Sequence, residues 1–339
     1  MKVGIIREGK VPEDKRVPFS PKQCRAIIDK YPDIELFVQS SKIRCYADEE
    51  YRYEGISVCD KIDHCDVLFG VKEVPIEQLI NGKTYFYFSH THKLQPYNQK
   101  LIRSNLEKNI CLIDYECLVK PDGQRVLGFG GFAGIVGAYN ALMTYGKKYN
   151  LFDLKPAHKC KDLEEVKKQL SNYVSLPPIK IVLTGTGRVA GGAQEILEHA
   201  GIQEVDVDGF LNLDYKNAVY CNIGVKDYIK HPENNSWEKN DFFKDPKGYM
   251  SDFKKFTSVS DIFIAGHFWD NRSPVFFTMD QIKNDDFTIS VIADVSCDIA
   301  EPIPTTLRSS TIPEPFYDVN RNDGTEKPAF SEKDGISIM

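Results

Sequence analysis

The sequence predicts an α/β protein built as two doubly wound, Rossmann-like parallel-sheet domains separated by a cleft. Three observations lead there. Short apolar runs alternate with amphipathic helical segments along most of the 339 residues, the rhythm of a parallel sheet with helices on both faces. Several of those runs end on ionisable residues, and in such sheets ligands sit outside the carboxyl ends of the strands. The third is a glycine-rich strand–turn–helix at Ile179–Gly201.

That stretch organises the second half. Ile179 to Leu183 is β-branched and apolar after a Pro-Pro break, and reads as a buried strand. Gly185, Gly187 and Ala190 form a G-x-G-x-x-A fingerprint, and Ala193, Ile196, Leu197 and Ala200 follow at helical spacing up to Gly201. Gly185 permits the tight turn, Gly187 lets the backbone approach a pyrophosphate, and Ala190 lets helix and strand pack closely. The helix N-terminus offers free N–H groups and a positive dipole end. A strand before the motif and a helix after it raise it above a bare glycine turn. An acidic residue holding the adenosine ribose is expected about 20 residues on. Asp208 closes the alternating run Glu204-Val-Asp206-Val-Asp208 and is preferred, with Asp206 close behind. No Arg follows at once, which favours NAD over NADP.

In the first half, Val3–Ile6, Ile34–Val38, Asp66–Val71, Thr84–Phe88 and Ile110–Ile113 are strands, and Ser20-Pro21 opens a helix running to about Tyr31. Arg16, Lys72, Glu73, His90 and Glu116 all fall after such strands. Each alone reads as a solvated charge or a cap. Five at one kind of position point to a site. An arginine can hold a carboxylate by two parallel bonds. A partly desolvated lysine among cations titrates lower than usual, and histidine titrates near neutrality unaided. Together they can run two proton transfers. Gly128–Leu142 starts glycine-rich and becomes helical by Ile135, fitting either a tightly packed helix with a hinge at its start or an ordinary buried helix opening. Beyond the fingerprint, strands are expected at Ala218–Ile223, Ser260–Ala265 and Ser290–Asp294. Pro302 to Pro315 reads as a return toward the first domain. The expected division is 1–130 plus 305–339 for catalysis and substrate, and 131–304 for the dinucleotide.

Bulk properties narrow the function. A net charge of −6 and no basic patch argue against nucleic acid, and no apolar run is long enough to cross a membrane. Nine cysteines without C-x-x-C pairs suggest reduced thiols in the cytoplasm and no metal site. The oligomeric state is left open.

The motifs Lys15-Arg16-Val-Pro-Phe-Ser-Pro, Gly70-Val-Lys72-Glu73-Val-Pro, Phe88-Ser-His90-Thr-His-Lys-Leu-Gln95, Asp114-Tyr-Glu116, Arg125-Val-Leu-Gly-Phe129-Gly, Gly187-Arg-Val-Ala-Gly-Gly-Ala and Asp294-Val-Ser-Cys-Asp298 span nearly the whole chain. In that order they resemble the alanine dehydrogenase/transhydrogenase superfamily, and within it the lysine-forming saccharopine dehydrogenases. The resemblance implies an NAD-dependent oxidoreductase acting on CH–NH donors, with an amino acid and an oxo acid such as 2-oxoglutarate as small-molecule partners. It implies Lys72 and His90 as the acid/base pair and Arg16 and Gln95 as substrate contacts. Phe129 would line the substrate pocket, with Glu73 and Glu116 tuning the pair. Arg125, Gly185, Gly187, Arg188, Val189, Asp208, Asp294, Val295 and Ser296 would hold NAD. Two other readings are an alanine dehydrogenase-like activity on a small amino acid and a shortened, non-catalytic NAD-binding regulator. The last follows from the stop at Met339, where the family normally continues across the first domain. His92 and Leu94 depart from the usual residues of the saccharopine enzymes.

Overall fold

The computed structural model describes residues 1–94, 96–233, 236–296 and 298–339. The chain divides into two compact units, Met1–Gly128 and Phe129–Met339.

The first unit is a six-stranded, all-parallel sheet. Its elements are β1 (Lys2–Ile5), α1 (Pro21–Lys30), β2 (Glu35–Gln39), α2 (Asp48–Tyr53), β3 (Ser57–Cys59), β4 (Val67–Phe69), β5 (Thr84–Tyr87), α3 (Gln99–Glu107) and β6 (Cys111–Asp114). The strand order is β3-β2-β1-β4-β5-β6, with every pairing parallel. Alternation along the strands gives each sheet face its own apolar core. One gathers Val3, Ile5, Leu36, Val38, Cys24 and Tyr51; the other gathers Leu68, Tyr85, Tyr87 and Leu101. Helix α1 starts where the sequence says it should: the Ser20 hydroxyl and the Gln23 side chain cap each other's backbone N–H groups, with Pro21 at the first position. The order reverses between β1 and β4, so the loops leaving those two strands border the position where such sheets bind ligands.

The second unit opens with α4 (Gly130–Lys148) and α5 (Leu163–Tyr173), then β7 (Lys180–Thr184), α6 (Arg188–His199), β8 (Gln203–Glu204), α7 (Val207–Asn212), β9 (Val219–Ile223) and α8 (Val225–Tyr228). A small antiparallel pair, β10 (Ile229–Lys230) and β11 (Met250–Ser251), flanks α9 (Lys239–Lys244). There follow α10 (Lys254–Thr257), β12 (Ile262–Ala265), α11 (Met279–Ile282), β13 (Val291–Asp294), β14 (Tyr317–Val319), β15 (Glu326–Lys327) and β16 (Ile336–Ile338). The large sheet runs β15-β14-β16-β13-β12-β7-β9-β8. From β16 to β8 it is parallel; β14 pairs antiparallel with β16 and β15. Ile181 and Leu183 enter one core and Val182 the other, so this sheet too is covered on both faces.

Two sequence expectations need correction. Residues 305–339 belong to the second unit. Ile336–Ile338 pairs with β13, and Tyr317–Val319 pairs with Ile336–Ile338, extending the second sheet at its edge. The apolar residues Tyr317, Val319, Ile336 and Ile338 are buried in that unit's core. The helix after the glycines also begins at Gly130, not near Ile135. Its small residues let α4 and α6 approach backbone to backbone. A Cβ on Gly134 would lie 1.8 Å from the Val189 carbonyl oxygen, and one on Gly192 would lie 2.0 Å from that of Gly131. This crossing fixes where α6 starts.

Candidate functional sites

The carboxyl ends of the first sheet collect an ionic cluster. Glu8, just past β1, is 7% exposed, and its carboxylate accepts the N–H groups of Val71 (2.7 Å) and Lys72 (3.0 Å) beyond β4. Burial raises its pKa despite those two bonds. The loop bearing Lys72 is thus pinned across the strand-order reversal by a buried acceptor. Among the described residues the Lys72 ammonium has no hydrogen-bonded or ionic partner. Burial, then the neighbouring Arg16, holds it below the ordinary lysine range, and Glu73 only partly offsets this.

Glu73 is the hub beside it. One carboxylate oxygen meets Lys10 Nζ at 2.8 Å and the other meets His90 Nδ1 at 2.5 Å. Burial pushes its pKa up, but the bonds from Lys10 and His90 outweigh that and keep it lowered. His90 leaves β5 with φ of 54°, in the left-handed region, a conformation costing a non-glycine residue about 1 kcal/mol or more. Arg16 is already clamped: its Nε and Nη2 embrace Asp14, with Nη2 2.5 Å from Oδ2. A carboxylate ligand would have to exchange with Asp14.

Past β6, the buried Asp114 accepts the Ser89 hydroxyl (2.5 Å), the Ser89 N–H (3.3 Å) and the Glu116 N–H (2.8 Å), tying the ends of β5 and β6 together. Glu116 Oε1 faces Lys93 (3.1 Å) and Arg125 (3.4 Å); its other oxygen is buried with no hydrogen bond among the described residues, 3.8 Å from His92 Nδ1. Arg125 therefore sits on the acid cluster of the first unit. Donor atoms of His92, Asp114 and Cys117 also lie within 4.8 Å of one another. Asp114 within it is already engaged by Ser89 and the Glu116 N–H. Gln95 lies outside the described residues, as does Cys297. Phe129 is half-exposed at the start of α4.

The second unit holds the fingerprint at the end of β7. Gly185 has φ of 106°, and a Cβ there would lie 2.4 Å from the Gly266 carbonyl oxygen, so the turn is open only to glycine. Gly187 precedes α6 without any side-chain cap, and a Cβ on it would meet nothing within 4 Å. A 12-residue helix thus presents uncapped N–H groups to an open approach, which fits the pyrophosphate of a dinucleotide. Arg188 and Val189 form its first turn, and fully buried Ala190 packs it on the sheet. At the end of β13 the Asp294 carboxylate accepts the Ser296 N–H (3.1 Å) and hydroxyl (2.6 Å) on one oxygen and the Thr306 hydroxyl (2.5 Å) on the other. Val295 packs on Gly137 of α4. His267, past β12, shares a 2.7 Å bond with Thr184 Oγ1. Its Nε2 is buried without a hydrogen-bond partner among the described residues, and burial lowers its pKa to about 4.

Asp208 is not where the sequence suggested. The strand after α6 ends at Glu204, opposite Tyr220. Asp206 caps the following helix through the Gly209 N–H, and Asp208 lies inside that helix, exposed and bonded to Asn212. The helix leads back to the start of β7, where Lys180 Nζ meets the Phe210 carbonyl at 2.8 Å. An alternating pattern of three acids and two valines fits a strand as well as a capped helical turn, and the cap won. Sequence reasoning also passed over Glu8, Lys10 and Asp14; the position of Glu8 just past the first strand was the signal available.

The family described as "Alanine dehydrogenase/PNT, N-terminal domain" matches residues 4–136. Over that span the chain is similar to the alanine dehydrogenase/PNT family. Among relatives, it is 25% identical over 380 residues to alpha-aminoadipic semialdehyde synthase of Arabidopsis thaliana, matching 99% of this chain and 35% of that protein. The lysine-forming, NAD(+) saccharopine dehydrogenase of Emericella nidulans is 25% identical over 346 residues, 96% of this chain and 83% of that one. The chain thus spans about a third of the length of the semialdehyde synthases it matches (35% and 38%). Two solved structures share its fold: an L-alanine dehydrogenase and a Sinorhizobium meliloti transhydrogenase. Each has a TM-score of 0.53 at 14% identity over 86% of this chain; they are covered to 73% and 77%. No helix among the described residues is long and apolar enough to cross a membrane.

Proposed function

We propose that the chain is an amino-acid dehydrogenase of the saccharopine-dehydrogenase type, oxidising an amine C–N bond at the expense of a nicotinamide dinucleotide. The observation that carries this reading is Lys72: an unpartnered, partly buried amine with a lowered pKa, pinned through Glu8 beside the Glu73–His90 pair. A free cation in a crowd of paired ones is available to exchange protons with a ligand. Its lowered pKa eases loss of the proton relative to an ordinary lysine. The names of the lysine-forming relatives support the substrate class.

The dinucleotide supplies the acceptor for the hydride that leaves the amine-bearing carbon. NAD is the form named for the lysine-forming relatives; its 2′-phosphorylated counterpart carries the same reactive ring. The chain's own residues handle protons and charge. Lys72 takes the proton released as the amine becomes an imine and water adds to that imine. His90, oriented by Glu73, delivers a proton to the nitrogen as the carbinolamine separates into an amino acid and an oxo acid. Arg16 exchanges Asp14 for a substrate carboxylate. Glu116, Arg125 and Lys93 set the charge on the far side of the cluster. Gly185, Gly187, Arg188, Val189 and the Asp294–Ser296 turn hold the dinucleotide.

Oxidation of reduced dinucleotide in the presence of 2-oxoglutarate plus lysine, compared with pyruvate plus ammonia, tests the reading. Turnover with the first pair is expected. Turnover with the second alone would move the assignment to an alanine dehydrogenase-like activity, and turnover with neither would refute both.

A further inference from the structure

The parallel pairing of β5 and β6 sets two short turns side by side. Tyr87 stands opposite Asp114, so the turn Thr91–Lys93 after β5 meets the turn Tyr115–Cys117 after β6. Together they gather four side chains of metal-binding type. Donor atoms of His92, Asp114 and Cys117 lie within 4.8 Å of one another. One imidazole nitrogen, His92 Nδ1, stands 3.9 Å from Asp114 Oδ2 and 3.8 Å from Glu116 Oε2. Both gaps are too long for a hydrogen bond.

Glu116 is the residue that turns this grouping into a site. Its side chain is 10% exposed, and Oε2 makes no hydrogen bond among the described residues. Lys93 and Arg125 meet the other oxygen. A buried carboxylate oxygen without a donor is costly unless a positive group reaches it. A metal ion between the two turns would be that group. Tetrahedral zinc takes nitrogen and oxygen at about 2.0–2.2 Å, which sets those ligand atoms roughly 3.3–3.5 Å apart. The gaps around His92 Nδ1 are wider by only about half an ångström, and His92, 38% exposed, has room to turn and close them. Asp114 is already held in place. Its Oδ2 accepts the Ser89 hydroxyl at 2.5 Å and its Oδ1 accepts the Glu116 N–H at 2.8 Å, the hydrogen-bonded setting usual for ligating carboxylates. Cys117 is exposed and gives the ion a way in. A thiolate and an imidazole beside two carboxylates suit zinc over magnesium or calcium, which prefer oxygen alone. Four protein donors leave no open position, the mark of a structural site.

We propose that His92, Asp114, Glu116 and Cys117 form a structural site for zinc that ties the turn after β5 to the turn after β6. The test uses the full chain, reduced and stripped with a chelator, and the metal ions alone. Calorimetric titration is expected to show zinc binding that magnesium does not reproduce, together with a raised unfolding midpoint. Cys117→Ser and His92→Gln are each expected to weaken that binding by about 100-fold or more, beyond the loss that follows removal of a supporting residue. Cys111→Ser, at another exposed thiol, is expected to leave it unchanged. Cobalt gives a readout that does not depend on how the variants fold: bound to the unaltered chain it should show a thiolate-to-metal charge-transfer band. Failure of the unaltered chain to bind zinc, cobalt binding without that band, or equal zinc affinity in Cys117→Ser and His92→Gln would each overturn the site. The dehydrogenase reading does not depend on any of these results.

Discussion

Replacing Lys72 by methionine separates chemistry from stability more cleanly than any other change in the first unit. Methionine keeps most of the side chain's length and apolar stem and removes the ammonium. That ammonium makes no hydrogen bond or ion pair among the described residues, and burial and Arg16 already disfavour its charge. No buried partner is left orphaned, because Glu73 keeps Lys10 and His90 and Glu8 keeps the backbone N–H groups of residues 71 and 72. Stability is accordingly expected to change by no more than about 0.5 kcal/mol. Turnover should fall on the order of 100-fold or more, the scale of one positioned acid or base, which corresponds to about 2.7 kcal/mol of barrier. The pH profile gives a second readout. Amine oxidation by the unaltered chain should rise with pH along a limb that lies below the ordinary lysine range, because Lys72 must lose its proton to accept another. That limb should be missing from Lys72→Met. The assay is initial rate against pH, with urea unfolding of the same samples. Unchanged turnover would remove Lys72 from the mechanism, and a large loss of stability would show that the residue is structural.

Three further outcomes follow from the second unit. Gly192→Ala drives a Cβ into the Gly131 carbonyl and should destabilise by about 1–3 kcal/mol, seen as a lower urea midpoint, because both contacts are backbone and neither helix can yield alone. His267 titrates at about 4 when folded and near its ordinary value when unfolded. Its contribution is complete above pH 6.5 and is lost as pH falls toward 4, by up to about 3 kcal/mol; His267→Phe should show a shallower decline of stability over that window. Asp294→Ala strands the Ser296 and Thr306 hydroxyls and should cost about 1–3 kcal/mol, while also weakening dinucleotide binding measured by fluorescence.

What could be read from the chain alone follows from how local each signal is. The ends of β4 and β5 were legible because Lys72, Glu73 and His90 directly follow apolar runs. The Ser20–Gln23 capping box and the Gly185–Ala190 turn are likewise fixed by neighbours in sequence. Contacts between distant segments were not legible. Glu8 reaches Val71, and Lys10 reaches Glu73, only because β1 and β4 are adjacent in the sheet. The Ile336–Ile338 run suits any buried strand; its pairing with Val291 and Ile292 decides which sheet receives it. The same kind of long-range choice puts β9, not the strand that follows α6, beside β7.

Hydride transfer itself is the most direct test of the central claim. The full chain would be incubated with 2-oxoglutarate, lysine and reduced dinucleotide deuterated at the transferable ring position, and the products analysed by mass spectrometry. The account predicts a secondary amine joining the two substrates and carrying one deuterium on the former oxo carbon. Absence of that amine, or its formation without the label, would contradict it.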